Sequence, residues 1–122
     1  MEFLALIHAD EGAWVDASEE ERAAVYAGYR DLWEAAERAG VLVGGDELDS
    51  TATATSVRVR DGRVIVSDGP YAEVKEALGG YFVFSCETLD EALDWAARIP
   101  AASAGGAVEV RAVHVDPEEV AA

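Results

Sequence analysis

Two stretches of this chain are apolar on both of their alternating sets of residues. In Glu2–His8 the sets are Phe3, Ala5, Ile7 and Leu4, Leu6. In Tyr81–Cys86 they are Tyr81, Val83, Ser85 and Phe82, Phe84, Cys86. Strand residues alternate between the two faces of a sheet, so both faces of these strands must be kept from water. That requirement fixes most of what the chain can become.

Each stretch leads towards a helix with a readable start. Ser18-x-x-Glu21 and Thr88-x-x-Glu91 are capping boxes, in which a hydroxyl accepts from an otherwise unpaired helix amide. After Ser18, the residues Val25, Tyr29, Leu32, Trp33 and Ala36 recur at helical spacing, Arg38 lies in the last turn and Gly40 is the expected left-handed stop. After Thr88, Leu89, Ala92, Leu93 and Ala96 share one face and Pro100 is expected to end the helix. Residues 10–16 show no period and read as a loop. Residues 41–43 read as a short strand broken by Gly44-Gly45. Residues 53–67 read as a hairpin turning at Asp61-Gly62, with Arg58 and Arg60 on a solvated face. Residues 101–106 read as a flexible connection, and Val108–Val115 as a last strand.

The order is therefore βαβ, hairpin, βαβ: an α+β sandwich of the ferredoxin-like type. Two helices cover one face of a four-stranded sheet. The other face remains apolar, which monomers usually avoid, so a second copy packed about a two-fold axis is expected.

The length, 122 residues, suits one domain, here residues 1–115 with a polar tail over 116–122. The balance of 25 acidic against 9 basic residues repels phosphate backbones, so nucleic-acid binding is not expected. The start, Met1-Glu2-Phe3, lacks a basic apolar leader, and no segment approaches the roughly 20 apolar residues of a membrane span. A cytoplasmic location is the expectation. A lone cysteine, Cys86, within an apolar run reads as a small buried side chain.

One segment is over-specified for a connector: Asp68-Gly69-Pro70-Tyr71, then Glu73, Lys75 (the single lysine) and Leu78-Gly79-Gly80-Tyr81. Gly69 accepts backbone conformations that other residues avoid and Pro70 fixes its own φ, so the loop can form a rigid pocket wall, with Glu73 and Lys75 presenting opposite charges. Its structural alternative is a self-closing loop, with Asp68 capping amides and Lys75 paired to an acid. His8 and Asp10, two residues apart, can act as base and orienting carboxylate if the first strand runs through Asp10, and Asp68 is a third proton-transfer candidate. Trp14 is a candidate for a pocket or a subunit contact. Arg111, with Glu109 on the same face, can hold an anion or half of a cross-strand ion pair.

The run Asp68-Gly69-Pro70-Tyr71-Ala72-Glu73-Val74-Lys75-Glu76 resembles the Asp-Gly-Pro-Phe signature of the DGPF branch of the YCII-related domain family, with Tyr71 in place of Phe. The likeness extends through Leu6–Glu11, Gly44-Gly45, Thr53-Ala54-Thr55, Leu78–Tyr81, Glu91–Pro100 and Val108–Arg111. It implies a ferredoxin-like domain that dimerises into an α/β barrel-like assembly, and an association with bacterial sigma factors in some relatives. The His and Asp proposed for enzyme-like relatives fall at Tyr29 and Ile99 here, so that pair is not implied. The resemblance also sets the last strand antiparallel beside the first. His114 then lies at the opposite end from His8, the two cannot share a metal, and no metal or cofactor is expected. The expected role is a small dimeric ligand-binding or accessory module. The alternatives are a small-molecule enzyme using acid–base residues in a cleft, and an interaction domain for a basic partner.

Overall fold

Ser18 and Thr88 do what their spacing predicts. In the computed structural model, which describes residues 1–121, Ser18 Oγ accepts from Glu21 N at 3.0 Å and Thr88 Oγ1 accepts from Glu91 N at 3.2 Å. These caps open α2 (Glu19–Arg38) and α3 (Leu89–Ala96). Gly40 follows α2 at φ +73°, the left-handed stop.

Four strands, β1 (Glu2–Asp10), β2 (Leu42–Glu47), β5 (Glu76–Ser85) and β6 (Ala107–Ala112), form one antiparallel sheet in the order β2-β5-β1-β6. Each helical crossover joins two strands that flank a third. This doubly split βαβ order is consistent with the ferredoxin-like expectation within an α+β fold. The hairpin, β3 (Thr55–Arg60) and β4 (Arg63–Asp68), forms a separate two-stranded ribbon, preceded by a 3₁₀ turn at Thr51–Thr53.

Register explains the core. Phe3 and Ala5 of β1 stand opposite Phe84 and Phe82 of β5, and all four are buried with Ile7. Leu32 and Ala36 of α2, Ala92 of α3, and Ile99 close over them. Tyr29 stacks on Phe82 at 6.2 Å, and Trp33 tilts against the same ring at 6.1 Å. Each fully buried large apolar side chain contributes about 1.5–3 kcal/mol. Cys86 is buried, and burial, with Glu91 nearby, pushes its thiol pKa up. On the opposite face Leu4, Leu6, Tyr81 and Val83 are only half-buried.

Six sequence expectations are corrected, the first being the last strand: β6 ends at Ala112 and not at Val115. Residues 11–16 are a helix, α1 (Glu11–Asp16), because Asp10 caps it by accepting from Gly12 N at 2.9 Å. The second strand runs through Gly44-Gly45 instead of breaking there. β5 starts at Glu76, not Tyr81, because it follows β1 to the pair Asp10–Glu76; an extra residue, Gly79, shifts the register between Ile7 and His8. Pro100, after α3 has ended, begins a further turn, α4 (Pro100–Ser103), where its missing N–H costs nothing. Within the tail, Pro117–Ala121 is a short helix, α5, and Ala122 lies outside the described residues. Among the described residues no helix is long and apolar enough to cross a membrane.

Candidate functional site

An open cleft of about 500 Å³ lies between the start of α1, the 3₁₀ turn and the segment after β4. One wall is tied by Glu11. Its carboxylate accepts from Thr51 N at 2.8 Å and from Thr51 Oγ1 at 2.5 Å, bridging residues 40 apart in the chain. Ser50 orders the same turn by accepting from Ala52 N at 3.1 Å.

The other wall is Asp68-Gly69-Pro70. Gly69 sits at φ +103°, a conformation that favours glycine. Its N–H donates to the Ala54 carbonyl at 2.7 Å, and its carbonyl accepts from Ser56 Oγ at 2.8 Å, so the wall is pinned to the root of the ribbon. Ala72, Glu73, Val74 and Ala77 complete the lining. Three carboxylates (Glu11, Asp68, Glu73) and no basic residue face the space. Such a surface offers hydrogen-bond acceptors and negative charge to a bound group.

The sequence candidates do not come together in one place. Asp68, Gly69, Pro70 and Glu73 line the cleft. Tyr71 and Lys75 do not; Tyr71 is 80% exposed with the Arg58 guanidinium 4.9 Å from its ring centre, and Lys75 is exposed without an ion-pair partner among the described residues. Trp14 packs edge-on against Tyr26 at 5.4 Å, beneath Arg22, which bonds the Trp14 carbonyl at 3.2 Å. Arg111 stands opposite Leu4 on the half-buried face, in no ion pair among the described residues.

His8 and Asp10 do not form the pair that their spacing allows. The strand does run through Asp10, but that carboxylate is occupied at the α1 cap. His8 Nε2 instead lies 3.5 Å from Glu109 Oε1 of β6. Tyr29 and Ile99 are packing residues, and burial pushes the Tyr29 pKa up. Val113 N bonds the Glu2 carbonyl at 2.9 Å, so His114 does lie at the far end from His8. Among the described residues no group of three or more His, Cys, Asp or Glu is placed to hold a metal ion.

Sequence reading missed Glu11, Thr51 and the approach of Glu109, which it set beside Arg111, to His8. Only the acidic pair Asp10-Glu11 and the Thr51-Ala52-Thr53 run hinted at the first two; the third needs the β1–β6 register.

The two Thr51 hydrogen bonds hold Glu11 below the ordinary glutamate pKa. A lowered carboxylate stabilises the fold above its unfolded pKa, and that contribution is lost as pH falls through the folded value. Glu11→Gln is therefore expected to flatten the loss of stability between about pH 5 and pH 3 in urea-unfolding series. Identical slopes for both proteins contradict the assignment.

A stretch of 74 residues is 43% identical to an uncharacterized protein of Rhizobium meliloti (strain 1021), covering 60% of each chain. The chain thus matches less than two thirds of the length of that relative. The family model of the YCII-related domain matches residues 1–115. By that match, together with the antiparallel α+β sheet described above, the chain belongs to the YCII-related domain family.

Proposed function

We propose that the protein is a small ligand-binding or accessory module that works as a homodimer. The observation that carries this reading is the 500 Å³ cleft walled by Glu11–Thr51 and Asp68–Pro70, which is within the size range of small-molecule sites. The pinned Gly69 and the Thr51-held Glu11 make its walls pre-formed, which lowers the ordering cost of binding. Three lining carboxylates favour a ligand with hydrogen-bond donors. The half-buried apolar set Leu4, Leu6, Tyr81 and Val83 supports self-association into a barrel-like pair. An accessory role beside a sigma factor rests on family analogy alone.

A second reading, proton-transfer chemistry, is favoured by one observation, the 3.5 Å approach of His8 to Glu109. That pair lies outside the cleft lining.

The test is a thermal-shift screen against a small-metabolite library, followed by light scattering. A hit whose stabilisation disappears in Asp68→Asn, on a particle near twice 12.9 kDa, is the expected result. A flat screen removes the ligand-binding reading, and a 12.9 kDa particle at micromolar concentration removes the dimer. Turnover of a hit that is abolished by His8→Asn moves the conclusion to the enzyme.

A further inference from the structure

Strand alternation gives the sheet two unlike faces. Phe3, Ala5 and Ile7 of β1 turn to the helices, so Leu4, Leu6 and His8 turn to the open face. Register adds Leu78, Tyr81 and Val83 from β5, Asp46 from β2, and Ala107, Glu109 and Arg111 from β6. The middle of this face is apolar: Leu4, Leu6, Tyr81 and Val83 are half-buried, and Leu78 is exposed beside His8. Its charges are lopsided. Glu2, Asp10, Asp46, Glu76 and Glu109 share it with Arg111, the one permanent cation there among the described residues. His8 is its one side chain of the type that changes charge between pH 5 and 8.

His8 Nε2 lies 3.5 Å from Glu109 Oε1, and 30% of the histidine side chain is exposed against 56% of the glutamate. The other charged groups about it are also acidic. Glu76 of β5 stands one pair further on, opposite Asp10, and the Asp10 carboxylate accepts from Gly12 N. Glu11 of α1 is turned to Thr51. Arg111 is two residues along β6, opposite Leu4, and is in no ion pair among the described residues.

Closing two such faces on each other takes Glu109 out of water. A carboxylate gives up its hydration at a cost that only a nearby cation offsets. With His8 neutral, Glu109 has no cation within ion-pair distance among the described residues. With His8 protonated, each copy carries its own counter-charge. A face four strands wide and about six residues long spans about 19 by 20 Å, roughly 400 Å² in projection on each copy. That places the contact among small interfaces, where one uncompensated charge per subunit decides the outcome.

We propose that the His8–Glu109 pair is a pH gate on self-association through this face. The dimer forms as His8 takes up a proton and loosens as pH rises through the histidine range. A dimer that binds protons more tightly than its free copies strengthens as pH falls. A basic partner on the same face has the opposite sign, because each proton on His8 weakens its attraction to the carboxylates. The inference rests on the homodimer reading above.

Sedimentation velocity of the full chain at pH 6, 7 and 8, at fixed ionic strength, reads the gate. The wild-type dimer Kd is expected to fall about tenfold or more from pH 8 to pH 6. His8→Gln, with unchanged circular dichroism, is expected to hold its Kd within about threefold over that range. Glu109→Gln is expected to be about tenfold tighter than wild type at pH 8, since no carboxylate is then desolvated there. His114→Gln, altered at the far end of β1, is expected to keep the wild-type slope. A wild-type dimer indifferent to pH, one that loosens towards pH 6, or a slope that survives in His8→Gln overturns the gate and leaves the homodimer standing. A wild type monomeric at all three pH values overturns both.

Discussion

Replacing Phe84 with alanine is expected to lower the free energy of unfolding by about 3–5 kcal/mol. Phe84 is fully buried in the second of the two doubly apolar strands. Its ring stacks on Phe82 with centres 5.5 Å apart and planes 6° from parallel, and Trp95 of α3 leans on its other side at 6.2 Å. Its backbone neighbours are Phe3 on β1 and Leu42 on β2, so three strands and a helix meet at this ring. Truncation loses the transfer free energy and leaves a cavity that surrounding strands, fixed by their ladders, cannot close. Phe84→Leu refills much of the space, and its cost is expected to stay below about 1.5–2 kcal/mol. Urea titrations of the three proteins measure the difference. An alanine variant within about 1 kcal/mol of wild type means that the site collapses, which contradicts this packing.

The second large effect is expected from a single added carbon. A Cβ on Gly45 comes 2.6 Å from the Tyr81 carbonyl oxygen and 3.2 Å from the Phe82 Cα. Both are backbone atoms of the neighbouring strand, so a side-chain rotation cannot relieve the clash; β2 must move away from β5. Gly45→Ala is expected to cost about 1–3 kcal/mol, the usual range for overpacking. Gly44→Ala is the control. No atom lies within 4 Å of its added carbon, and its stability is expected to stay within about 0.5 kcal/mol of wild type. Equal melting temperatures for the two variants contradict a close β2–β5 approach at Gly45.

These glycines show which parts of the structure local sequence can specify. The two capping boxes and the stripe on α2 were legible because helix starts and helix faces are decided within a few residues. The strand Glu2–His8 was legible because its run from Phe3 to Ile7 has no polar interruption. Gly44-Gly45 looked like a break because its cause, close passage of Tyr81 and Phe82, lies nearly 40 residues away. Residues 11–16 were illegible as a helix because one six-residue turn, started by the Asp10 side chain, buries nothing fully and so writes no period.

The candidate site divides the same way. Asp68-Gly69-Pro70 announced itself through backbone chemistry, and it does form a wall. The facing wall depends on Glu11 meeting Thr51, a contact that only the tertiary fold creates. His8 was visible as a titratable residue, but its neighbour depends on whether β6 or the chain itself supplies the nearer carboxylate, and β6 does. Tyr71 and Lys75 were drawn in by proximity in sequence. The segment after Pro70 turns them outward while Glu73 and Val74 face the cleft.

Gly79 has a consequence for how the length of β5 can vary. Ile7 faces Gly80 and His8 faces Leu78, so Gly79 is passed over in the pairing. A chain lacking Gly79 keeps Ala77 on its buried side and Leu78 beside His8, because the β1 partners are unchanged, and it gives up the bond that the Gly79 carbonyl accepts from Leu48 N at 2.8 Å. Losing one residue between Tyr81 and Ser85 instead turns over the side chains on one side of the gap, exchanging phenylalanines for the outward set. The strand thus has one built-in splice point where a codon can be dropped without reversing the pleat.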